Sequence, residues 1–237
     1  MPLVSAIIVA GGMGLRMNSD IRKQYLNLGG LPILSLTILA INHCAAVDQI
    51  YLVVPGQDLE FCESSVLAPI QCRSQVRLVP GGKTRQESVY NGISAITEKN
   101  GIVLIHDGVR PFLTIDQLDR CIKEAQANGA CILGIPLKDT LKSCDSKGHI
   151  THTIARGELW LAQTPQAFQF DLILNAHKHA VSKGIQATDD ASLVEILGRS
   201  VKVIAGSTHN IKITTPEDLI MAHALHSFPE YQINCWR

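Results

Sequence analysis

An apolar, β-branched run, Val4–Ala10, opens the chain and leads directly into Ala10-Gly11-Gly12-Met13-Gly14-Leu15-Arg16-Met17, with Lys23 close behind. Glycines at a strand end let backbone N–H groups approach phosphate oxygens, and Arg16 and Lys23 can neutralise the charge that phosphates bring. Ala10, Gly11, Gly12 and Gly14 with the two cations therefore describe a triphosphate cradle; the alternative is an ordinary glycine-rich turn with two surface cations. Two better-known glycine motifs fit less well. A dinucleotide fingerprint needs a third glycine where Met17 stands and an acid capping the second strand, which instead ends in Val54-Pro55. A Walker-type loop finds its second half in Gly82-Lys83-Thr84, but Arg77 occupies the position of its first glycine.

A second constellation, His106-Asp107-Gly108-Val109-Arg110-Pro111, follows the apolar run Ile102–Ile105. A carboxylate at the carboxyl end of a parallel strand sits where such sheets bind ligands, and Asp is a hard-oxygen ligand suited to magnesium. Asp107 is thus a metal candidate. Arg110 could hold a substrate phosphate, or could pair with Asp107 to fix the loop. Further polar patches are Asp139-Thr140 with Lys142, the run from Arg156 through Leu159-Trp160 to Gln163-Thr164-Pro165-Gln166, Thr188-Asp189-Asp190, and Asn210-Ile211-Lys212-Ile213-Thr214. Each also has a structural reading: Asp139 can start a turn, Thr188 or Asp190 can cap a helix, and Lys212 can be solvated. The histidines show no metal-binding spacing: His223 and His226 lack the acidic partner of a helical metal motif.

The elements that must position these residues alternate. Val4–Ala10, Ile50–Val54, Val76–Val79, Ile102–Ile105, Ala130–Pro136 and Val201–Ala205 read as strands, and their alternation with helical stretches predicts an α/β chain with a buried parallel sheet. The helical spacing covers Ile33–Asn42, Asp58–Leu67, Thr84–Thr97, Ile115–Asn128, Asp171–Ser182 and Asp189–Leu197. A last helix starts at Thr215-Pro216-Glu217-Asp218, with Thr as N-cap, Pro in the first helical position and two acids at the positive end. Lys138 to Arg156 breaks the pattern and reads as a hairpin arm turning at Asp145-Ser146-Lys147-Gly148. Such an arm is marginal alone, so it is expected to dock on a second copy of the chain.

The 237 residues, 46% hydrophobic and 18% charged, supply a sizeable core and are read as a single domain carrying the arm. Twenty-one acidic side chains balance 21 basic ones, which argues against a broad nucleic-acid footprint. No stretch approaches the roughly 20 apolar residues of a membrane span, and Met1 to Ala10 lack a basic n-region, so the chain is expected to be cytoplasmic. The seven cysteines form no C-x-x-C pair and fit reduced structural thiols.

Taken together in order, these strings resemble the 2-C-methyl-D-erythritol 4-phosphate cytidylyltransferases of non-mevalonate isoprenoid synthesis. The matching stretches are Gly11–Met17 with Lys23-Gln24-Tyr25-Leu26; Gly81-Gly82 with Arg85 and Ser88-Val89; His106–Pro111; Asp139-Thr140-Leu141-Lys142; Arg156 with Leu159-Trp160 and Gln163–Gln166; Thr188-Asp189-Asp190; and Asn210–Asp218. The resemblance implies a Rossmann-like nucleotidyltransferase domain, a dimerising β-arm, and magnesium-dependent transfer of CMP from CTP to a polyol phosphate, releasing pyrophosphate. It implies that Ala10–Gly14, Arg16 and Lys23 hold the triphosphate, that Gly81, Gly82 and Ser88 read cytosine, and that Asp107 holds magnesium. The sugar phosphate would lie among Asp107, Arg110, Thr164, Thr188 and Lys212, with Thr140 and Arg156 reaching in from the partner's arm. Arg16, Lys23 and Lys212 would be the catalytic cations. Two departures stand out, because many members carry Ala-Ala-Gly at Ala10-Gly11-Gly12 and Ala-Ala at Gly108-Val109. The Ala-Gly-Gly form also resembles ribitol-5-phosphate cytidylyltransferases, but Arg156 with Leu159-Trp160 and Thr188-Asp189-Asp190 look more like the methylerythritol enzymes, so 2-C-methyl-D-erythritol 4-phosphate is the expected acceptor and ribitol 5-phosphate the alternative. A non-catalytic CTP sensor and a phosphotransferase centred on Lys83 are rival readings from other classes.

Overall fold

The computed structural model describes residues 2–12 and 21–231. Met13 to Asp20, with the cradle residues Gly14 and Arg16, lie outside the described residues, as does Cys235. In chain order the elements are β1 (Val4–Val9), β2 (Asn27–Leu28), β3 (Leu31–Pro32), α1 (Ile33–Asn42), β4 (Gln49–Val54), a short α2 (Leu59–Phe61) inside an irregular helical segment, and β5 (Gln75–Pro80). There follow α3 (Arg85–Ala95), β6 (Ile102–Asp107), α4 (Ile115–Asn128), β7 (Ala130–Pro136), β8 (Leu141–Cys144), β9 (Ile150–Ile154), β10 (Trp160–Gln169), α5 (Phe170–Lys183), α6 (Asp190–Ile196), β11 (Lys202–Ala205) and α7 (Pro216–His226).

Seven strands form one sheet in the order β11-β7-β10-β6-β1-β4-β5. All neighbours run parallel except β10, which is antiparallel to both β6 and β7. The mostly parallel α/β sheet expected from the alternation is therefore present. The central strands are apolar on both faces, and period-two side-chain alternation divides them between two cores. Ala6, Ile8, Ile50, Leu52, Ile102 and Leu104 pack on one side with α1 and α4. Ile7, Val9, Tyr51, Val53, Val103 and Ile105 pack on the other with α3, α5 and α6.

β10 is the strand that the apolar pattern does not reveal. Its middle is Gln163-Thr164-Pro165-Gln166, and its pairing with β7 is interrupted between Ala162 and Gln166. Proline has no N–H for a ladder, and the polar side chains around it are buried but bonded, Gln163 to Ser207 and Asn210, Gln166 to Asp189 and Asp190 at the start of α6, and Thr164 to His106 and Asp107 of the neighbouring β6. The hairpin arm is as expected: β8 and β9 pair with each other, and the Asp145 carboxylate accepts from the N–H groups of Lys147 and His149, each at 2.9 Å. Gly148 takes φ +84°, a left-handed geometry that favours glycine there. The last helix is capped as the sequence suggests, since Thr215 accepts from Asp218 N and Pro216 occupies the first turn. No helix among the described residues is long and apolar enough to cross a membrane.

Candidate active site

From β1 the chain steps outward through β4 and β5, then returns to place β6 on the opposite side of β1. In open parallel sheets the crevice at such a switch point, beyond the carboxyl ends of the strands, is where ligands bind. A cleft of about 450 Å³ opens there, lined among the described residues by Ala10, Gly11, Gly12, Lys23, Gln24, Gly82, Lys83, Thr84, Arg85, Ser88, Asp107, Lys212 and Thr214, with Val9 and Val109.

The glycine rims are held by short local bonds. Gln24 donates its amide to the Ala10 carbonyl at 2.7 Å, tying the turn Lys23–Tyr25 to the end of β1. Across the cleft, Thr84 caps α3, and Ser88 Oγ accepts from Gly82 N at 3.1 Å while donating to the Thr84 carbonyl at 2.9 Å. A side chain at Gly82 would meet Glu87 Cβ at 2.4 Å, and one at Gly81 would come within 3.1 Å of Ser88 Oγ. Glycine at these positions keeps side chains off the rim, where Gly81 N donates to the Val54 carbonyl at 2.8 Å and Gly82 N to Ser88 Oγ.

The two departures from the family pattern have different steric meanings. A Cβ at Gly11 would sit 3.5 Å from Ser88 Oγ, an ordinary contact, so this backbone accepts either form of the loop. A Cβ at Gly108 would lie 2.9 Å from both Ala10 Cβ and Leu34 Cδ1, so glycine there goes with the packing of α1 beneath it.

Asp107 ends β6, its side chain 8% exposed, and faces three cations: Lys212 Nζ at 3.0 Å, Arg85 Nε at 3.3 Å and Arg110 Nε at 3.4 Å. Burial alone would raise its carboxyl, but Lys212, then Arg85 and Arg110, hold it well below the usual carboxylate range. Arg110 also donates to the Asn210 carbonyl at 2.6 Å, so the Asp–Arg pair and the loop clamp coexist.

Behind Asp107, hydrogen-bond chemistry fixes one arrangement. His106 Nε2 lies 3.0 Å from the Arg110 carbonyl, which can only accept, so Nε2 carries the proton and Nδ1 accepts. The Thr164 hydroxyl, 3.0 Å from Nδ1, donates to it and in turn accepts from Asp107 N at 3.1 Å. Thr164 is thereby committed to the wall and does not line the cleft.

Burial pushes the His106 imidazole down to about 4 from 6.5, against the raising effect of the Arg110 carbonyl. Between those pH values the unfolded chain binds a proton that the folded one refuses, so stability should fall as pH drops through this window. The shift corresponds to about 3 kcal/mol. Urea midpoints at pH 7 and 4.5 measure it; a His106→Gln chain should lose much of the difference, and an equally steep dependence in that variant would show that other groups cause it.

Of the residues singled out in the sequence, Ala10, Gly11, Gly12, Lys23, Gly82, Ser88, Asp107 and Lys212 meet in the cleft. Gly81 lies beside Ser88, while Arg110 and Thr164 stand behind Asp107. Thr140, Arg156 and Thr188 are exposed and do not line the cleft within one chain; Arg156 bonds the Lys138 carbonyl at the base of the arm. The role of Arg85, bridging Asp107 and Asp190, escapes sequence reading, its only signal being its place in the matched string after Gly81-Gly82. Lys83 and Thr214 also line the cleft.

Among its described lining residues the cleft carries four cations, Lys23, Lys83, Arg85 and Lys212, against one carboxylate, a lining suited to an anion. A cation-rich, glycine-rimmed crevice at the switch point of a mostly parallel sheet places the chain with the Rossmann-like nucleotidyltransferases. The family model for 2-C-methyl-D-erythritol 4-phosphate cytidylyltransferase matches residues 4–227, and the chain belongs to that family. A relative of that name from Syntrophus aciditrophicus is 48% identical over 223 residues, 94% of this chain and 95% of the relative. One from Pelotomaculum thermopropionicum is 45% identical over 225 residues, 95% and 94% of the two chains. Among solved structures, 4-diphosphocytidyl-2C-methyl-D-erythritol synthase from Anaerococcus prevotii superposes with a TM-score of 0.82 at 35% identity, covering 94% of this chain and 95% of its own.

Proposed function

We propose that this chain transfers CMP from CTP to 2-C-methyl-D-erythritol 4-phosphate in the cytosol, giving 4-diphosphocytidyl-2-C-methyl-D-erythritol and pyrophosphate. The observation that carries this reading is the excess of cations around Asp107 in a cleft of a chain whose overall charge is balanced. A triphosphate needs such a local field.

A phosphate monoester has its second pKa near 6, so the acceptor is largely dianionic at neutral pH and attacks the CTP α-phosphorus without a general base. The oxygen–phosphorus bond to the acceptor forms as the bond to pyrophosphate breaks. Lys23 and Lys212 stabilise the negative charge on the transferring group, a role the sequence also assigns to Arg16. Gly81, Gly82 and Ser88 face the cytosine edge. The protein's work is alignment and charge, and His106, neutral and walled off, takes no proton from substrate.

Asp107 is the residue that would hold magnesium. It is a deprotonated hard-oxygen ligand on the cleft wall, and no cluster of three acidic, histidine or cysteine groups exists among the described residues. That donor set suits a cation completed by phosphate oxygens rather than a protein cage. Bound there, magnesium would neutralise phosphate charge as a Lewis acid.

The arm is proposed to dimerise two chains. Leu141, Ile150, Trp160 and Leu161 on and beside it are exposed, Ile150 by 62% and Leu161 by 50%. Docking would bury them and carry Thr140 and Arg156 toward the partner's cleft. Mixing an inactive Arg156→Ala chain with an inactive Lys23→Ala chain should then restore partial activity, since one site of the heterodimer keeps both residues; no recovery after demonstrated subunit exchange counts against sharing.

Turnover measured with CTP, UTP, ATP and GTP tests the nucleotide half. With no side chain at Gly81 or Gly82, a base can approach the backbone carbonyls of this rim, whose N–H groups are held by Val54 and Ser88, and a wrong edge leaves polar groups unmatched. CTP should be strongly preferred, and equal turnover with UTP would remove the assignment of Gly81, Gly82 and Ser88.

A further inference from the structure

Arg85 is held from behind by a chain of buried groups that the transfer chemistry itself does not use. Its Nη1 lies 2.8 Å from Asp190 Oδ2, and Asp190 Oδ1 lies 3.1 Å from His177 Nε2. The Asp190 and His177 side chains are 2% and 0% exposed. The links join the first turn of α3, the first turn of α6 and the middle of α5. Asp190 is itself fixed by its N–H, which donates to Gln166 Oε1 at 3.1 Å. A carboxylate only accepts, so His177 Nε2 is the donor of this pair.

We propose that Asp190 and His177 are positioning residues for the transfer reaction, acting through Arg85. This rests on the reading of the cleft as the site of CMP transfer. The Arg85 guanidinium uses Nη1 for Asp190 and Nε for Asp107, so its rigid fork is set by two carboxylates at once. Tilting the fork moves both the Asp107 carboxylate and the guanidinium edge lining the cleft. His177 sets the other oxygen of Asp190, and Tyr90 of α3 stacks on its ring at 6.0 Å between centroids. His177 Nδ1 is buried with no partner among the described residues, a desolvation cost that an apolar side chain would avoid. Packing against Tyr90 alone would not call for a histidine here; the bond from its Nε2–H to Asp190 does.

The test compares wild type with His177→Leu, His177→Gln and the isosteric Asp190→Asn, reading kcat, KM for CTP and the ¹⁵N resonance of Arg85 Nε. His177→Leu should lower kcat about tenfold and Asp190→Asn further, the scale expected when a catalytic group is misplaced. KM for CTP should change by less than about threefold, because the triphosphate cations remain. His177→Gln, which keeps an amide donor near Nε2, should recover most of the loss, and the Arg85 resonance should move in the first and last variants but not in this one. Wild-type kcat with an unmoved Arg85 resonance in Asp190→Asn overturns the proposal, as does His177→Gln behaving no better than His177→Leu. Should His177→Leu fail to fold, Asp190→Asn and His177→Gln carry the same comparison. If wild type releases no pyrophosphate from CTP, the functional reading falls, and the Arg85 resonance still decides the positioning.

Discussion

Replacing Lys23 with alanine should lower turnover about 10²-fold or more while the chain stays folded, the scale of removing one transition-state charge donor. Lys23 starts the turn Lys23–Tyr25 and lines the cleft, its Cε 3.8 Å from where a Cβ at Gly12 would sit. The turn is anchored by its neighbours, Gln24 on the Ala10 carbonyl and Tyr25 on Asp58 at 2.8 Å. Losing the Lys23 ammonium therefore removes charge from the cleft and leaves those anchors in place. Lys83→Ala should do much less: Lys83 lies on the exposed rim, where its own N–H is held by Glu87 at 2.7 Å. Steady-state pyrophosphate release with a circular dichroism melt checks both. Near-normal turnover by Lys23→Ala would show that the cradle has been misassigned, and a large loss in Lys83→Ala would favour a site centred on that lysine.

Asp107→Asn should need more magnesium and turn over slowly even when saturated. The substitution keeps the shape and removes the negative charge that Lys212, Arg85 and Arg110 share, leaving Arg85 paired with Asp190 alone. The amide is a weaker ligand for a hard cation, and it brings N–H donors toward groups that can only donate. Metal occupancy and the placement of the cations should both change, so saturation cannot restore the rate. Stability should shift too: a carboxyl depressed in the folded state stabilises it above its unfolded pKa, and that contribution is lost as pH falls through the folded value. Magnesium titrations of the two proteins measure the first effect directly. Superimposed curves would mean that Asp107 serves the ion-pair cluster and not the metal.

Much of this architecture is written in local pattern. Ala130–Pro136, Ile33–Asn42 and Ile115–Asn128 have the same bounds in the sequence and in the structure, because a largely apolar run marks the first two and Thr114 with Gly129 caps the third. β10 is not legible in that way, since its polar centre is satisfied by partners distant in sequence, Thr164 by His106 and Gln166 by Asp189. That Ala10, Gly11, Gly12 and Asp107 meet at the strand ends is legible because glycine and a carboxylate after a strand have a direct chemical meaning. The Arg85–Asp190–His177 chain is not: Arg85 and Asp190 are 105 residues apart, and only tertiary packing of α3, α5 and α6 brings them together. Thr140, Arg156 and Thr188 stand out in the sequence only as members of polar patches, their place at the substrate comes from family resemblance, and a single chain leaves all three at its surface.

The most direct test of the account is pyrophosphate release from CTP and magnesium with 2-C-methyl-D-erythritol 4-phosphate and ribitol 5-phosphate supplied side by side. Rapid, acceptor-dependent release is expected with the methylerythritol phosphate and little with ribitol phosphate. A preference for ribitol phosphate would contradict the proposed acceptor, and CTP binding without release from either would contradict the transferase reading itself.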